Sequence, residues 1–153
     1  MGYEMYCRGK RAEYDLGRRL LRHGFFVMRA PGSGRRSKRF RYPDLLAIRK
    51  GKILLFEVKL RKKRETIIIP YKQYENLRYA ASLSSGEPYI AVYIQEDKEW
   101  YFFKLGELEE QLHEKGKRYL ITVSMYDKAH KFEEIIEQVE KRISLVESRD
   151  GTV

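Results

Sequence analysis

Cysteine is nearly absent from this 153-residue chain. Cys7 stands alone, so no internal disulfide can form, and no Cys/His spacing suits zinc. His23, His113 and His130 are scattered in polar context and are expected at the surface, and no serine, histidine and acid arrangement stands out. The longest apolar runs, such as Ile53 to Phe56, fall far below the roughly 18 residues of a membrane span. No signal-peptide pattern opens the sequence, so a soluble, cytoplasmic protein is expected. Internal repeats and low-complexity linkers are also missing. With 42% hydrophobic and 13% aromatic residues, the composition fits one globular domain over residues 1–153 with a real core. Asparagine occurs once, at Asn76, beside 35% charged residues, a combination found in thermophile proteins. Acids are outnumbered 22 to 32 by Lys and Arg, and the net charge of +10 favours a polyanionic partner.

What is present concentrates around Pro43-Asp44 and Glu57-Val58-Lys59. Leu45 to Ile48 and Ile53 to Phe56 are apolar runs of strand length, joined by Arg49-Lys50-Gly51-Lys52 with its turn glycine. A two-residue turn at Lys50-Gly51 sets Arg49 opposite Lys52, Ile48 opposite Ile53 and Asp44 opposite Glu57. Directly opposed residues have Cβ atoms about 4.5–5.5 Å apart, and like charges there destabilise the pair unless a positive charge intervenes. Lys59 lies two residues beyond Glu57, on the same face. The neighbours on both faces of the hairpin are apolar, so both strands are expected to be covered on both sides. Oxygen donors in such surroundings suit Mg²⁺ or Mn²⁺. The competing reading of the same residues is an ordinary cluster, with Asp44 capping a turn and Glu57 paired to Lys59 or an arginine.

A third carboxylate belongs to the first helix, expected from about Arg8 to His23 and ended by Gly24. At about 100° per residue, Ala12, Leu16, Gly17, Leu20 and Leu21 share one half of its wheel, and Arg8, Arg11, Asp15, Arg18, Arg19 and Arg22 the other. Glu13 falls in the apolar half, where a lone carboxylate costs several kcal/mol unless it is paired or coordinating. A salt bridge to the sheet or a place at the metal would each satisfy it.

Basic runs bracket the acids. Arg35, Arg36, Lys38, Arg39 and Arg41 precede Asp44, and Arg61, Lys62, Lys63 and Arg64 follow Lys59. Either run alone reads as a solvated loop, but two flanking one acidic pocket look like phosphate clamps. No basic amphipathic helix with a strong apolar face accompanies them, which argues against a lipid surface.

The remaining chain reads as support. Gly24 to Arg29 is expected as a strand, Ala30 to Gly34 as a loop, and Pro70 as the first position of a helix running to about Leu83. Gln73 shares a face of that helix with Leu77 and Ala80, either as a core glutamine or reaching the site with its amide. Tyr89 to Gln95 and Glu99 to Phe103 suggest a second hairpin, Tyr119 to Ser124 a short strand. Phe132, Ile135, Ile136, Val139, Ile143 and Val146 form the stripe of a C-terminal helix, for the core or a dimer contact.

In order and spacing, Arg-Gly-Lys-Arg-Ala-Glu13, Val-Met-Arg29, Gly-Ser33-Gly, Pro-Asp44 and Glu57-Val-Lys59 resemble the archaeal-type Holliday-junction resolvases of the restriction-endonuclease-like superfamily. The match spans roughly residues 8 to 105, and Glu13, Arg29 and Ser33 together distinguish the family within the superfamily. The resemblance implies an α/β fold with a central mixed β-sheet flanked by helices: a nuclease core over about 8–105, then a C-terminal strand and helix over 119–147. It implies divalent metals held by Glu13, Asp44 and Glu57, with the Val58 carbonyl, and Lys59 acting on the water and the scissile phosphate. It implies catalytic and substrate roles for Arg29 and Ser33. It further implies Mg²⁺ dependence, with Mn²⁺ as substitute, and a homodimer making paired symmetric nicks in four-way DNA junctions. On this reading Arg8, Arg35, Arg36, Lys38, Arg39, Arg41, Arg61, Lys62, Lys63 and Gln73 contact the DNA. Two departures bear on junction selectivity: some relatives carry an arginine where this chain has Tyr14, and the segment from Ser33 to Asp44 is long and arginine-rich. A nuclease of the same superfamily cutting linear duplex or repair intermediates would use identical chemistry, and a DNA-binding module without cleavage is the rival from another class.

Overall fold

The computed structural model describes residues 2–30 and 42–150, with side chains from Arg8 onward. The elements are α1 (Gly2–Arg22), β1 (Phe26–Arg29), β2 (Leu45–Arg49), β3 (Lys52–Arg61), β4 (Ile67–Pro70), α2 (Tyr71–Ser84), β5 (Glu87–Ile94), β6 (Glu99–Lys104), β7 (Glu109–His113), β8 (Gly116–Ile121) and α3 (Phe132–Asp150).

The hairpin of β2 and β3 forms because its turn can be made only one way. Lys50 and Gly51 both have positive φ, 47° and 80°, the backbone of a type I′ turn whose twist matches the strands. The resulting register pairs Arg49 with Lys52, Ile48 with Ile53 and Leu45 with Phe56, as the turn alone predicts. Around it a mixed sheet is ordered β1-β2-β3-β5-β6. Only the β3–β5 pair is parallel, and α2 lies in the connection between those two strands, as a parallel pair requires.

Alternate residues of β3 feed two cores. Leu54 and Phe56 pack with Ala12, Leu16 and Leu20 of α1 and Phe132, Ile135 and Val139 of α3. Leu55 faces the other way, with Leu77 of α2 and with Ile67, Ile69, Tyr119 and Ile121. The last four belong to a second, antiparallel sheet ordered β4-β8-β7, which sequence patterning does not announce. α/β layering with helices on both sides of a mixed sheet agrees with the expected fold class. Among the described residues no helix is long and apolar enough to cross a membrane.

Several boundaries differ from the sequence-based expectation. Helix α1 begins at Gly2 rather than near Arg8, because no proline or capping residue interrupts the segment before it. Its end is as expected: Gly24 takes φ 85° and the Phe25 N–H returns to the Leu20 carbonyl at 3.1 Å, a left-handed helix terminus suited to glycine. Leu21, placed in the apolar half of the wheel, is exposed. Pro70 closes β4 and caps α2 instead of opening it.

Candidate active site

The site arises where β2 leaves β3. Pairing between them stops at Leu45 and Phe56, while β3 continues to Arg61 beside β5 alone. From Glu57 onward one edge of β3 therefore lacks a strand. The exposed edge amide is satisfied by a side chain: Val58 N–H donates to Asp44 Oδ2 at 2.8 Å. A residue's carbonyl points to the same edge as its N–H in a strand, so the Val58 carbonyl also faces the gap.

Glu57 and Lys59 project from β3 toward α2. Lys59 Nζ donates to Gln73 Oε1 at 2.8 Å, so Gln73 does reach the site with its amide, and the choice of oxygen follows because an ammonium only donates. Glu57 Oε2 is buried with no hydrogen-bond partner; Asn76 Oδ1 is the other such atom among the described residues. Burial, then repulsion by Asp44, pushes the Glu57 carboxyl up to about 9, against the attraction of Lys59. Burial likewise lowers Lys59, outweighing the pull of Glu57 and Asp44. One lysine therefore does not keep the Glu57 carboxyl ionised beside Asp44.

Glu13 enters from α1, on the opposite side of the sheet. Its Oε2 accepts from Arg29 Nε at 2.6 Å, with both side chains about four-fifths buried. Burial still raises Glu13, ahead of the lowering by Arg29, and Asp44 adds repulsion. The salt bridge and the metal position were alternatives for this residue; here the carboxylate is occupied by Arg29 while lying in the field of Asp44 and Glu57. Among the described residues no three carboxylate, imidazole or thiol groups lie close enough to share one ion. The donor chemistry nonetheless fits a hard cation at Asp44 and Glu57: an orphaned carboxylate oxygen beside a second carboxylate is a place where added positive charge would keep both ionised.

The basic residues divide. Arg8, Lys62 and Lys63 are exposed. Arg61 instead pairs with Glu65 at 3.4 Å, and Arg64 is tied to Asp97 and Asp127. Ser33, Arg35, Arg36, Lys38, Arg39 and Arg41 lie outside the described residues. One contact went unread in the sequence: the Arg29 guanidinium lies 4.8 Å over the Tyr14 ring, so Tyr14, where some relatives have arginine, supports Arg29 by a cation–π contact.

With this geometry in place, similarity to known proteins becomes decisive. The family described as archaeal Holliday junction resolvase (Hjc) matches residues 4–144. The chain belongs to the archaeal Holliday junction resolvase family. It is 35% identical over 137 residues to the crossover junction endodeoxyribonuclease Hjc of Sulfurisphaera tokodaii, covering 90% of this chain and 91% of that one. To the protein of the same description from Sulfolobus acidocaldarius it is 33% identical, covering 90% and 92%. The solved structure of Hjc from Archaeoglobus fulgidus, a Holliday junction resolvase, superposes with a TM-score of 0.72 at 28% identity, over 85% of this chain and 96% of that one. Membership in the resolvase family agrees with the motif order from Glu13 to Lys59 and extends it to α3.

Proposed function

We infer that this chain is a crossover junction endodeoxyribonuclease that cuts four-way DNA junctions by metal-dependent phosphodiester hydrolysis. Family membership supports the activity and the branched substrate. The single observation carrying the chemistry is the buried, partnerless oxygen of Glu57 beside Asp44, on the unpaired edge of β3.

The ion we propose is Mg²⁺, with Mn²⁺ as substitute, because the donors are oxygens. Asp44, Glu57 and the Val58 carbonyl would hold it, and Glu13 would contribute once Arg29 releases its carboxylate. When bound, the ion supplies positive charge that lowers the pKa of a coordinated water and offsets charge developing on the phosphate. Lys59, steadied by Gln73, orients the attacking water and donates to the phosphate oxygens. The water adds to phosphorus in line with the bridging oxygen that departs, giving a phosphate and a hydroxyl that a ligase can rejoin. Arg29, which here pairs with Glu13, would then meet a non-bridging oxygen. Two symmetric nicks across a junction need two such sites, so the proposal includes a homodimer.

The test compares a four-way junction with a linear duplex of the same sequence, in Mg²⁺ and in EDTA. Paired symmetric cuts in the junction, absent in EDTA, support the reading. Equal cutting of the duplex would move the protein to general duplex cleavage, and no metal-dependent cutting would overturn it.

A further inference from the structure

Away from the carboxylates, a groove of about 320 Å³ lies between α1 and the β5–β6 hairpin, with Asp15, Arg18, Arg19 and Arg22 on one side and Lys98 and Trp100 on the other. Four cations face one carboxylate there, and Asp15 pairs with Arg18 at 3.6 Å. Arg19, Arg22 and Lys98 have no ion-pair partner among the described residues. Several cations elsewhere on the surface do: Arg49 pairs with Glu140, Lys50 with Glu147, Arg78 with Glu75, Lys117 with Glu110 and Arg142 with Glu87. In this groove three such charges converge with only Asp15 among them.

One of these cations is held in place: the Arg19 guanidinium lies 5.1 Å over the Phe132 ring. Lys98 stands across the groove from it, at the tip of the hairpin. Ala12, which also lines the groove, directly precedes Glu13. At 1.5 Å per residue, Arg18 to Arg22 lie roughly 8–14 Å along α1 from Glu13, too far to touch the phosphate at the carboxylates.

We propose that this groove seats a backbone phosphate of a DNA arm, distinct from the phosphate that is cut. Arg22 and Lys98 close on it from the two walls, and Arg19, fixed on Phe132, supplies the third charge. The role is positioning: phosphate contacts set the register of the duplex without reading its sequence. The inference rests on the nuclease reading, which brings a DNA backbone past Glu13.

Junction binding by the full chain, measured in EDTA across a range of salt, tests it for the parent, Arg22→Gln, Lys98→Gln and the double variant. Each substitution is expected to weaken binding about three- to tenfold and to lower the slope of log affinity against log salt by roughly one. In the parent, replacing single phosphates with methylphosphonate should weaken binding at one position away from the cut. The double variant should be indifferent to that replacement alone. Unchanged affinity and slope in folded variants, or a loss spread equally over all methylphosphonate positions, overturns the proposal. So does binding of polyglutamate in the groove with DNA affinity untouched, which would assign it to an acidic protein segment. The assay contains no metal, so failure of the nuclease reading appears separately, as absence of Mg²⁺-dependent cutting by the parent.

Discussion

Two clusters in this fold use the same side-chain types to opposite ends. In one, Arg64 donates to Asp97 at 2.8 Å, to Asp127 at 3.0 Å and to the Tyr101 hydroxyl at 2.7 Å, and that hydroxyl donates to Asp97 at 2.6 Å. Hydrogen bonds from Tyr101 and Arg64 hold the Asp97 carboxyl below its usual range. In the other, Asp44 and Glu57 share a pocket with Lys59, and Glu57 is pushed up to about 9 by burial and by Asp44. The first cluster is an ion-pair network that completes itself. The second is short of positive charge, and a divalent cation would invert its pKa pattern. Acids and bases in proximity are therefore not enough to mark a site; the sign of the shift and an unsatisfied oxygen separate the two.

The comparison can be broken most severely by deleting an acid from each cluster. Asp44→Ala or Glu57→Ala should lower Mg²⁺-dependent junction cleavage on the order of a thousandfold, while affinity in EDTA holds. Asp127→Asn should cut at the parental rate. A quantitative gel assay of paired nicks reads all three.

The lysine comes next. Lys59→Met should cost about a hundredfold in kcat. Gln73→Leu, which removes the amide that accepts from Lys59 at 2.8 Å, should cost about tenfold with KM little changed, the worth of one charge-assisted hydrogen bond.

Stability against pH sharpens the contrast without substrate. The folded, metal-free protein keeps the Glu57 proton up to about 9, whereas the unfolded chain loses it near 4.5. Stability from this group therefore falls as pH rises between those values, by ~1.4 kcal/mol per pH unit at most. Glu57→Gln should flatten that decline and raise the metal-free unfolding midpoint at pH 8, by roughly 2–4 °C for each kcal/mol recovered. The smallest effect belongs to Asp127→Asn, an exposed partner of Arg64, which should leave the midpoint nearly unchanged in a thermal scan.

Much of this was legible in the residues. The Lys50-Gly51 turn fixes the register as far as Leu45 and Phe56, because local backbone geometry propagates along a hairpin; the expected rung between Asp44 and Glu57 does not form, since the ladder ends there and Asp44 turns its carboxylate to the Val58 N–H. The α1 terminus at Gly24 and the apolar stripe of α3 follow from periodicity. What escaped depends on long-range partners. β7, Glu-Glu-Gln-Leu-His, is exposed throughout and so carries no alternation to betray a strand. Arg64 sits in a basic run yet is claimed by Asp97 and Asp127, which lie over thirty and sixty residues away. The Glu13–Arg29 pair and the Tyr14 stack are choices among rotamers that spacing does not decide. Arg18, Arg19 and Arg22 were visible as a polar helix face, but Lys98 across the groove was not.

Mn²⁺ binding followed by calorimetry in the parent, Glu57→Gln and Asp127→Asn separates the two clusters in one readout. Binding in the parent and in Asp127→Asn with its loss in Glu57→Gln is expected; equal binding by all three folded proteins, or none by the parent, would rule out a cation site at Glu57.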